Sequence, residues 1–368
     1  MAMMRRAAGL RPARGTPLAA EGVPHSRPCL GRDEEEAALR VLRSGRLAAG
    51  EEARRGAALL ARLSGNPDAV LLSSGTTALT LAIRALAIGP RDQVAVPSYV
   101  CAALVHAISA AGARPLVCDI DPSTLALDPE DVARRATADL RAVIVVHPFG
   151  SPVRLEPLRA RGLLVIEDCA QALGARERGE PVGSRGDAAV FSFAPTKLVT
   201  CGGPGGGLTS PRAGLVDEAR DLAGHDQKED GRQRWNALMG DLHAAILAVQ
   251  VARLQEFRDR RSAIARRYDE ALAPLGVLRP PQAQGAEAIA YRYVVRVQDA
   301  GRLLEALNRR GIAARRPVDR PLHRLLGLDG DFPGSEQAHK GMVSLPLYPA
   351  LTDDEAERVI AEVRRCLS

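Results

Sequence analysis

Two stretches decide the fold of this 368-residue chain: LLVIEDCAQ (residues 163–171) and VFSFAPTK (residues 190–197). Each begins with a short apolar run that is followed by polar residues: Asp168 comes two residues after the run 163–166, and Lys197 ends the second stretch. Short apolar runs are typical of strands that a parallel sheet buries on both faces. Ligands of open α/β sheets bind beyond the carboxyl ends of the strands. The sequence therefore predicts that these polar residues meet at one edge of a sheet.

Short apolar runs alternate with helix-like segments through the first two thirds of the chain. This alternation is typical of an α/β fold with a mostly parallel sheet covered by helices. The predicted strands are 69–72, 93–96, 115–120, 142–146, 163–166 and 188–193, and the predicted helices between them include 33–44, 78–87 and 102–111.

After residue 210 the pattern changes to long helices and an alternating strand. The predicted elements are helices at 244–272, 300–310 and 353–367, with Thr352 as an N-cap, and a half-exposed strand at 290–297. We predict three parts: an N-terminal arm (1–24), a large domain (25–245) and a smaller α+β domain (246–368).

Composition excludes several classes of function. A net charge of +6 with 3% aromatic residues, and no basic stretch interleaved with aromatics, argues against nucleic-acid binding. No apolar run reaches the length that spans a bilayer, and the basic N-terminus lacks a secretory apolar core. The six cysteines form no CxxC pair and fit no zinc spacing, so no metal is expected. We expect a cytoplasmic protein, since free thiols suit a reducing compartment.

Lys197 and Asp168 together suggest a pyridoxal phosphate (PLP) site. In such sites a lysine forms a Schiff base with the cofactor, and an Asp pairs with the pyridinium nitrogen. Lys197 stands next to small residues and just before a glycine run, residues 202–207. The alternative is that Lys197 is an ordinary solvated lysine and Asp168 a helix cap.

Ser74-Gly75-Thr76-Thr77 lies between a predicted strand and a predicted helix. The free N–H groups of a helix start and two hydroxyls make such a segment suitable for an anion, although a plain capping turn has the same sequence. It is neither a Walker A loop nor a GxGxxG motif. His147 and His323 are expected to be structural, because neither belongs to a metal or hydrolase motif.

Taken together, these segments resemble the DegT/StrS-type sugar aminotransferases, a branch of the PLP enzymes with the aspartate aminotransferase fold. Six segments resemble the family patterns SGTxAL, GAxPVxxDID, VHxxG, IEDAAQA, GD…FSFxxxK and NYRMSDxxAA. They lie, in that order, at 74–79, 112–121, 146–150, 166–172, 186–197 and 236–245. Residues 321–323 and 344–347 complete the set. Each motif is weak alone, but their order and spacing are specific.

The resemblance implies a seven-stranded sheet and a role for each site residue. Lys197 would carry the Schiff base and move the substrate proton, and Asp168 would pair with the ring nitrogen. Gln171 would contact the ring hydroxyl. The implied phosphate ligands are Gly75, Thr76, Thr77 and Ser192, with Asn236 reaching the cofactor of a neighbouring subunit. The resemblance thus implies a homodimer with shared active sites.

The chain departs from the family pattern where substrate is expected to bind. The family often has an aromatic over the cofactor ring, and here that position is Cys101, with Tyr99 two residues earlier. The loop that usually reads GEGG is residues 202–205, which lacks the Glu and gains a Pro. The tyrosine and arginine of NYRM are replaced by Ala237 and Leu238.

The leading hypothesis is a PLP-dependent aminotransferase that moves an amino group from an amino acid, expected to be glutamate, to a nucleotide-linked keto-sugar. An alternative acceptor is a keto-cyclitol with glutamine as donor. A related sugar dehydratase is disfavoured, because those relatives replace the lysine with histidine and Lys197 is present. The remaining alternative from another class is a regulator that keeps the fold without catalysis.

Overall fold

The computed structural model describes residues 22–225 and 228–367. Most of the predicted N-terminal arm, residues 1–21, therefore lies outside the described residues. The helices are α1 (Arg32–Ser44), α2 (Glu51–Ser64), α3 (Gly75–Ala85), α4 (Ala103–Ala110), α5 (Pro129–Arg135), α6 (Glu156–Arg159), α7 (Leu215–Ala223), α8 (Asp241–Ala252), α9 (Leu254–Leu272), α10 (Ala300–Arg309), α11 (Leu322–Leu326), α12 (Pro333–Gly341) and α13 (Asp353–Leu367).

The strands are short, and most belong to one sheet. They are β1 (Asp68–Leu72), β2 (Gln93–Pro97), β3 (Arg114–Cys118), β4 (Leu140–Val146), β5 (Leu164–Asp168), β6 (Arg176–Glu177), β7 (Glu180–Pro181), β8 (Ala188–Ser192), β9 (Gly206–Ser210), β10 (Ala286–Glu287), β11 (Tyr293–Arg296) and β12 (Met342–Leu345).

Seven strands form the central sheet in the order β1-β9-β8-β5-β4-β2-β3. All neighbouring pairs are parallel except those of β9, which runs antiparallel to both β1 and β8. The predicted α/β fold with a mostly parallel seven-stranded sheet is thus confirmed. The carboxyl ends of six strands and the start of β9 lie at the same edge, which gathers the candidate site residues.

Helices cover the two faces of the sheet and exclude water from its strands. The side chains of β4 from Ala142 to Val145 are fully buried, which explains why this strand is apolar without alternation. Helices α3, α4 and α7 pack on one face with strand residues such as Ile144 and Ile166. Residues of α2, α8 and α9 pack on the other face with Phe191 and Phe193.

A separate apolar core forms in the C-terminal part of the chain, where α9, α10 and α13 pack around β11 and β12. The first described residues also belong here. Val23 forms a parallel bridge with Ile312, and Arg27 forms an ion pair with Glu355. Thr352 caps α13, as the sequence predicts, because its hydroxyl accepts a hydrogen bond from the Glu355 N–H at 3.1 Å.

Two local predictions are wrong. The single helix predicted over 244–272 is two helices, α8 and α9, because Arg253 leaves helical geometry at φ −95°, ψ 4°. The strand predicted as half-exposed over 290–297 is the shorter β11, and three of its four residues are buried. The sequence did not predict β9, to which the glycine run contributes Gly206 and Gly207; a Cβ on Gly206 would lie 2.3 Å from the Ser74 carbonyl oxygen. Within the described residues, no helix combines the length and the apolar character needed to cross a membrane.

Candidate active site

A cavity of about 190 Å³ opens at the carboxyl edge of the sheet. Its wall comes from the ends of β1, β5 and β8, the start of α3, the segment before α4 and the loop before β9. Six sequence-predicted residues line it: Gly75, Thr76, Cys101, Asp168, Ser192 and Lys197. Residues far apart in the sequence therefore meet here because the strands that carry them end at one edge.

Asp168 ends β5 in the cavity wall and is nine-tenths buried. The Ala170 N–H donates to its Oδ1 at 3.0 Å. Burial raises the pKa of this carboxyl, although Lys197 and His147 act in the opposite direction. A buried carboxylate at this position suits a cationic partner in the cavity, because such a partner offsets the cost of burying the charge.

Behind Asp168 lies a buried network that sequence reasoning missed. Glu167 is fully buried and accepts hydrogen bonds from the backbone N–H groups of Gly183, Arg185 and Gly186, at 2.9, 2.9 and 2.6 Å. His147 Nε2 donates to the same carboxylate at 3.1 Å, and its Nδ1 accepts from the Val153 N–H at 3.0 Å.

These bonds decide the chemistry of the network. Burial opposes the charge of Glu167, but its hydrogen bonds outweigh burial and lower its pKa. Cys169 lies close to His147 and Glu167. Both nitrogens of His147 are already used, so the three groups form a structural network and not a metal site.

The start of α3 forms the opposite wall. Ser74 caps the helix by accepting a hydrogen bond from the Thr77 N–H at 3.0 Å. The first N–H groups of a helix have no partner within it, so Gly75 and Thr76 present donors to the cavity. A Cβ on Gly75 would lie 3.0 Å from the Ser192 Cβ, which shows how closely α3 approaches the end of β8.

Lys197 follows β8 on a tight turn, in which its N–H donates to the Ala194 carbonyl at 2.9 Å. Its Nζ lies 5.6 Å from the ring centre of Tyr291, a buried residue that sequence reasoning did not select. Burial acts to raise the pKa of the Tyr291 phenol, but the charges of Lys197, Arg292 and Arg261 outweigh burial and lower it. Lys197 thus lies at the boundary between the cavity and the C-terminal part of the chain.

Four predicted residues do not line the cavity: Thr77, Tyr99, Gln171 and Asn236. The Thr77 hydroxyl bonds to Ser74 at 2.9 Å, inside the first turn of α3. Tyr99 is buried in an apolar cluster with Ile120 and Met342, so of the two candidates for the ring position only Cys101 faces the cavity. Gln171 lies nearby, with its Oε1 accepting from the Phe149 N–H at 2.9 Å.

Asn236 is exposed and lies beside the end of β1. The adjoining segment is fixed there, since the Ser73 N–H donates to the Ala237 carbonyl at 2.7 Å and Leu238 bridges Leu72. Asn236 is absent from the cavity wall of its own chain.

The altered glycine loop also has a defined environment. A Cβ on Gly203 would lie 2.9 Å from Nε2 of His243, so a larger residue at this position would displace that ring. Pro204 and Gly205 line the cavity. The missing Glu and the added Pro therefore change the wall next to Lys197.

The residues present fit PLP on geometric grounds. One wall offers a buried carboxylate, the opposite wall offers a helix start and the Ser192 hydroxyl, and Lys197 lines the same cavity. This arrangement separates a site for a ring cation from a site for a phosphate. A PLP-dependent aminotransferase needs a site for the ring cation, a site for the phosphate, and an amine that can accept and donate a proton.

Comparison with known proteins agrees with this geometry. Residues 28–364 match the model of the DegT/DnrJ/EryC1/StrS aminotransferase family. The chain is 34% identical to the dTDP-3-amino-3,4,6-trideoxy-alpha-D-glucose transaminase of Streptomyces venezuelae, over 90% of this chain and 92% of the relative. It is 31% identical to the pleiotropic regulatory protein of Geobacillus stearothermophilus, over 88% and 91%. The crystal structure of S. venezuelae DesV with a ketimine intermediate superposes with a TM-score of 0.86 at 34% identity, covering 91% and 94%.

Proposed function

We propose that this chain, which belongs to the DegT/DnrJ/EryC1/StrS aminotransferase family, moves the amino group of glutamate to a nucleotide-linked keto-sugar. It is a sugar aminotransferase with PLP as its cofactor. The finer assignments of donor, acceptor and residue roles are the proposal. The observation that carries it is the single cavity that Lys197, Asp168 and the start of α3 share.

Each wall of the cavity has a distinct task. PLP, when bound, supplies an electron sink for the carbon that gains or loses the amino group. Asp168 holds the ring nitrogen in its charged form, because a buried carboxylate favours a cation beside it. Thr76, Ser192 and the helix N–H groups bind the phosphate. The Lys197 amine would move a proton between the substrate carbon and the cofactor, because an amine can act in turn as base and acid.

Gln171 and Cys101 complete the cofactor environment in this proposal. The Oε1 of Gln171 is held by the Phe149 N–H, which orients its amide nitrogen to donate to the ring hydroxyl. Cys101 takes the position over the ring, where a thiol gives less contact area than an aromatic side chain. The cofactor is therefore expected to depend more on its phosphate and ring-nitrogen contacts.

We propose that the enzyme is a homodimer with shared active sites. Asn236 is exposed beside the end of β1 and suits a contact to the cofactor phosphate of a second copy. Two exposed leucines lie close to this segment: Leu238 is two residues further along, and the Leu47 carbonyl accepts a hydrogen bond from the Asp241 N–H at 3.2 Å. Both could contact the second copy.

The acceptor is tested with purified protein, PLP, 15N-labelled L-glutamate and two panels of ketones. One panel contains nucleotide-linked 3- and 4-keto-sugars, and the other contains keto-cyclitols. The proposal predicts a labelled amino-sugar from the first panel, detected by mass, and none with Lys197→Ala. Product only from the keto-cyclitols would overturn the proposal that the acceptor is a nucleotide-linked keto-sugar. Product from neither panel would overturn the catalytic proposal and favour a regulator.

A further inference from the structure

A second, smaller cavity lies beside Lys197, between the N-terminal segment and the C-terminal core. It measures about 40 Å³. Its wall contains two guanidinium groups, Arg292 and Arg315, and the hydroxyl-bearing residues Ser26 and Thr196. Among the described residues, no carboxylate lines it. Thr196 precedes Lys197 directly, so this basic cavity adjoins the proposed active site.

The positive charge of the basic cavity is not neutralised within the described residues. Arg292 donates to the Pro317 carbonyl at 2.9 Å, and neither Arg292 nor Arg315 has an acidic side chain within ion-pair distance there. By contrast, the partly buried Arg185 pairs with Glu177. Arg292 is half-buried and Arg315 is exposed, and guanidinium groups without an acidic partner favour an anion from outside the chain.

The pKa of His25 is also affected by the positive charges of Arg292 and Arg315. Its ring lies in the cavity wall, and its Nε2 bonds to the Ser344 hydroxyl at 2.9 Å. Burial and the charges of Arg292 and Arg315 lower the pKa of His25 to about 3. The ring is thus neutral near pH 7, where the two guanidinium groups supply the charge and His25 does not compete for the anion.

The position of the basic cavity relative to Lys197 limits which group can enter it. Lys197 Nζ and the Arg292 guanidinium each lie 5.6 Å from the ring centre of Tyr291, so they are at most twice that distance apart. Lys197 itself does not line the basic cavity. A group several bonds from a donor nitrogen near Lys197 is therefore within reach of Arg292.

We propose that the basic cavity binds the side-chain carboxylate of a dicarboxylic amino donor, and that Arg292 and Arg315 make the enzyme prefer glutamate to glutamine. This inference rests on the proposed function. Leu345 and Leu347 offer an apolar wall for the methylene groups of the donor. The volume holds about three water-sized groups, which suits a carboxylate.

The test uses the holoenzyme and two ligands that cannot transfer an amino group: glutarate and its monoamide, glutaramate. Calorimetry gives the Kd of each. Charged hydrogen bonds are worth about 1.5–3 kcal/mol, so glutarate is expected to bind about 10- to 100-fold more tightly. Arg292→Gln and Arg315→Gln are each expected to reduce this preference to about threefold or less. L-glutamate and L-glutamine should show the same pattern in the first half of the reaction.

Arg296→Gln is the matched control, because Arg296 also donates to a backbone carbonyl, that of Pro122, but lies outside the basic cavity. It should keep the full preference. Thermal unfolding checks that each variant is folded, and exposed Arg315 is the safer position. An unchanged preference in folded Arg315→Gln and Arg292→Gln would overturn the proposal, as would a wild type that binds the two ligands equally.

Three further outcomes separate this inference from others. If dTDP displaces glutarate and loses affinity in Arg315→Gln, the cavity binds phosphates of the acceptor and the proposal is wrong. If the glutarate preference is present and lost in the variants while no keto-sugar is aminated, the carboxylate site stands and the proposed function fails. If keto-sugars are aminated but glutarate is not preferred, the proposed function stands and the carboxylate site is wrong.

Discussion

His147 and Glu167 form a fully buried hydrogen-bonded pair in the middle of the sheet, with His147 Nε2 3.1 Å from Glu167 Oε2. Glu167 immediately precedes Asp168, and its other contacts are backbone N–H groups of the 183–186 turn. The pair therefore fixes the end of β5 against β4 and the turn before β8. The position of Asp168 depends on a carboxylate that never meets the substrate.

Glu167→Gln is expected to destabilise the protein by about 3–5 kcal/mol, because an amide cannot accept from all the donors that now surround the carboxylate. Urea unfolding measures the change. Glu180→Gln, at an exposed position in β7, is the matched control and should have little effect. Equal stability of the two variants would show that the buried network contributes nothing.

Asp168→Asn should separate catalysis from folding. The substitution removes a carboxylate whose burial raises its pKa, so we expect stability to be kept or slightly increased. The rate of amino transfer is expected to fall about 10²- to 10³-fold, because a neutral amide does not hold the ring nitrogen charged. Steady-state kinetics and thermal unfolding on one preparation measure both, and a variant with normal kcat would refute the role of Asp168.

Gly75→Ala is expected to weaken cofactor binding about tenfold. The new methyl group would lie 3.0 Å from the Ser192 Cβ, so α3 or the end of β8 must move where the phosphate is proposed to bind. Gly89→Ala is the control, since nothing lies within 4 Å of a Cβ there. Fluorescence titration of the apoenzyme with PLP gives both affinities. A normal PLP affinity in Gly75→Ala would contradict the proposal that the start of α3 binds the phosphate.

His25 should make stability depend on pH. The folded protein holds the pKa of His25 at about 3, against about 6.5 in the unfolded chain. The unfolded chain therefore binds more protons between these values, and stability falls as pH drops below 6.5, by about 2 kcal/mol at pH 5. Urea unfolding at pH 7 and pH 5 measures the loss of stability on acidification. This loss should be smaller in His25→Asn than in wild type or in His106→Asn, an exposed control. An identical loss in all three would contradict this.

The sheet was predictable because it is buried on both faces. Strands such as 142–146 have no polar alternation, and their polar residues stand only at the carboxyl ends, which is where the cavity forms. Asp168, Ser192 and Lys197 could therefore be selected from strand ends alone. The break at Arg253 was not predictable, because an apolar stripe continues through α8 and α9 on both sides of it.

The residues that the sequence did not predict act through tertiary contacts. The sequence predicts Tyr291 as part of an alternating strand, and only the tertiary structure brings its ring close to Lys197. Tyr99 was selected as a substitute for the missing aromatic, yet the turn after β2 directs it into an apolar cluster. Arg292 and Arg315 were overlooked because arginine is common in this chain, and only their lack of an acidic partner distinguishes them.

The most direct test of amino transfer at Lys197 is the visible spectrum of the protein with PLP, before and after L-glutamate. Wild type should show the absorption band of cofactor joined to a lysine, and glutamate should convert it to that of the amine form with release of one 2-oxoglutarate per site. Lys197→Ala should lack the lysine-linked band. A band that glutamate leaves unchanged, or that is the same in Lys197→Ala, would contradict the central claim.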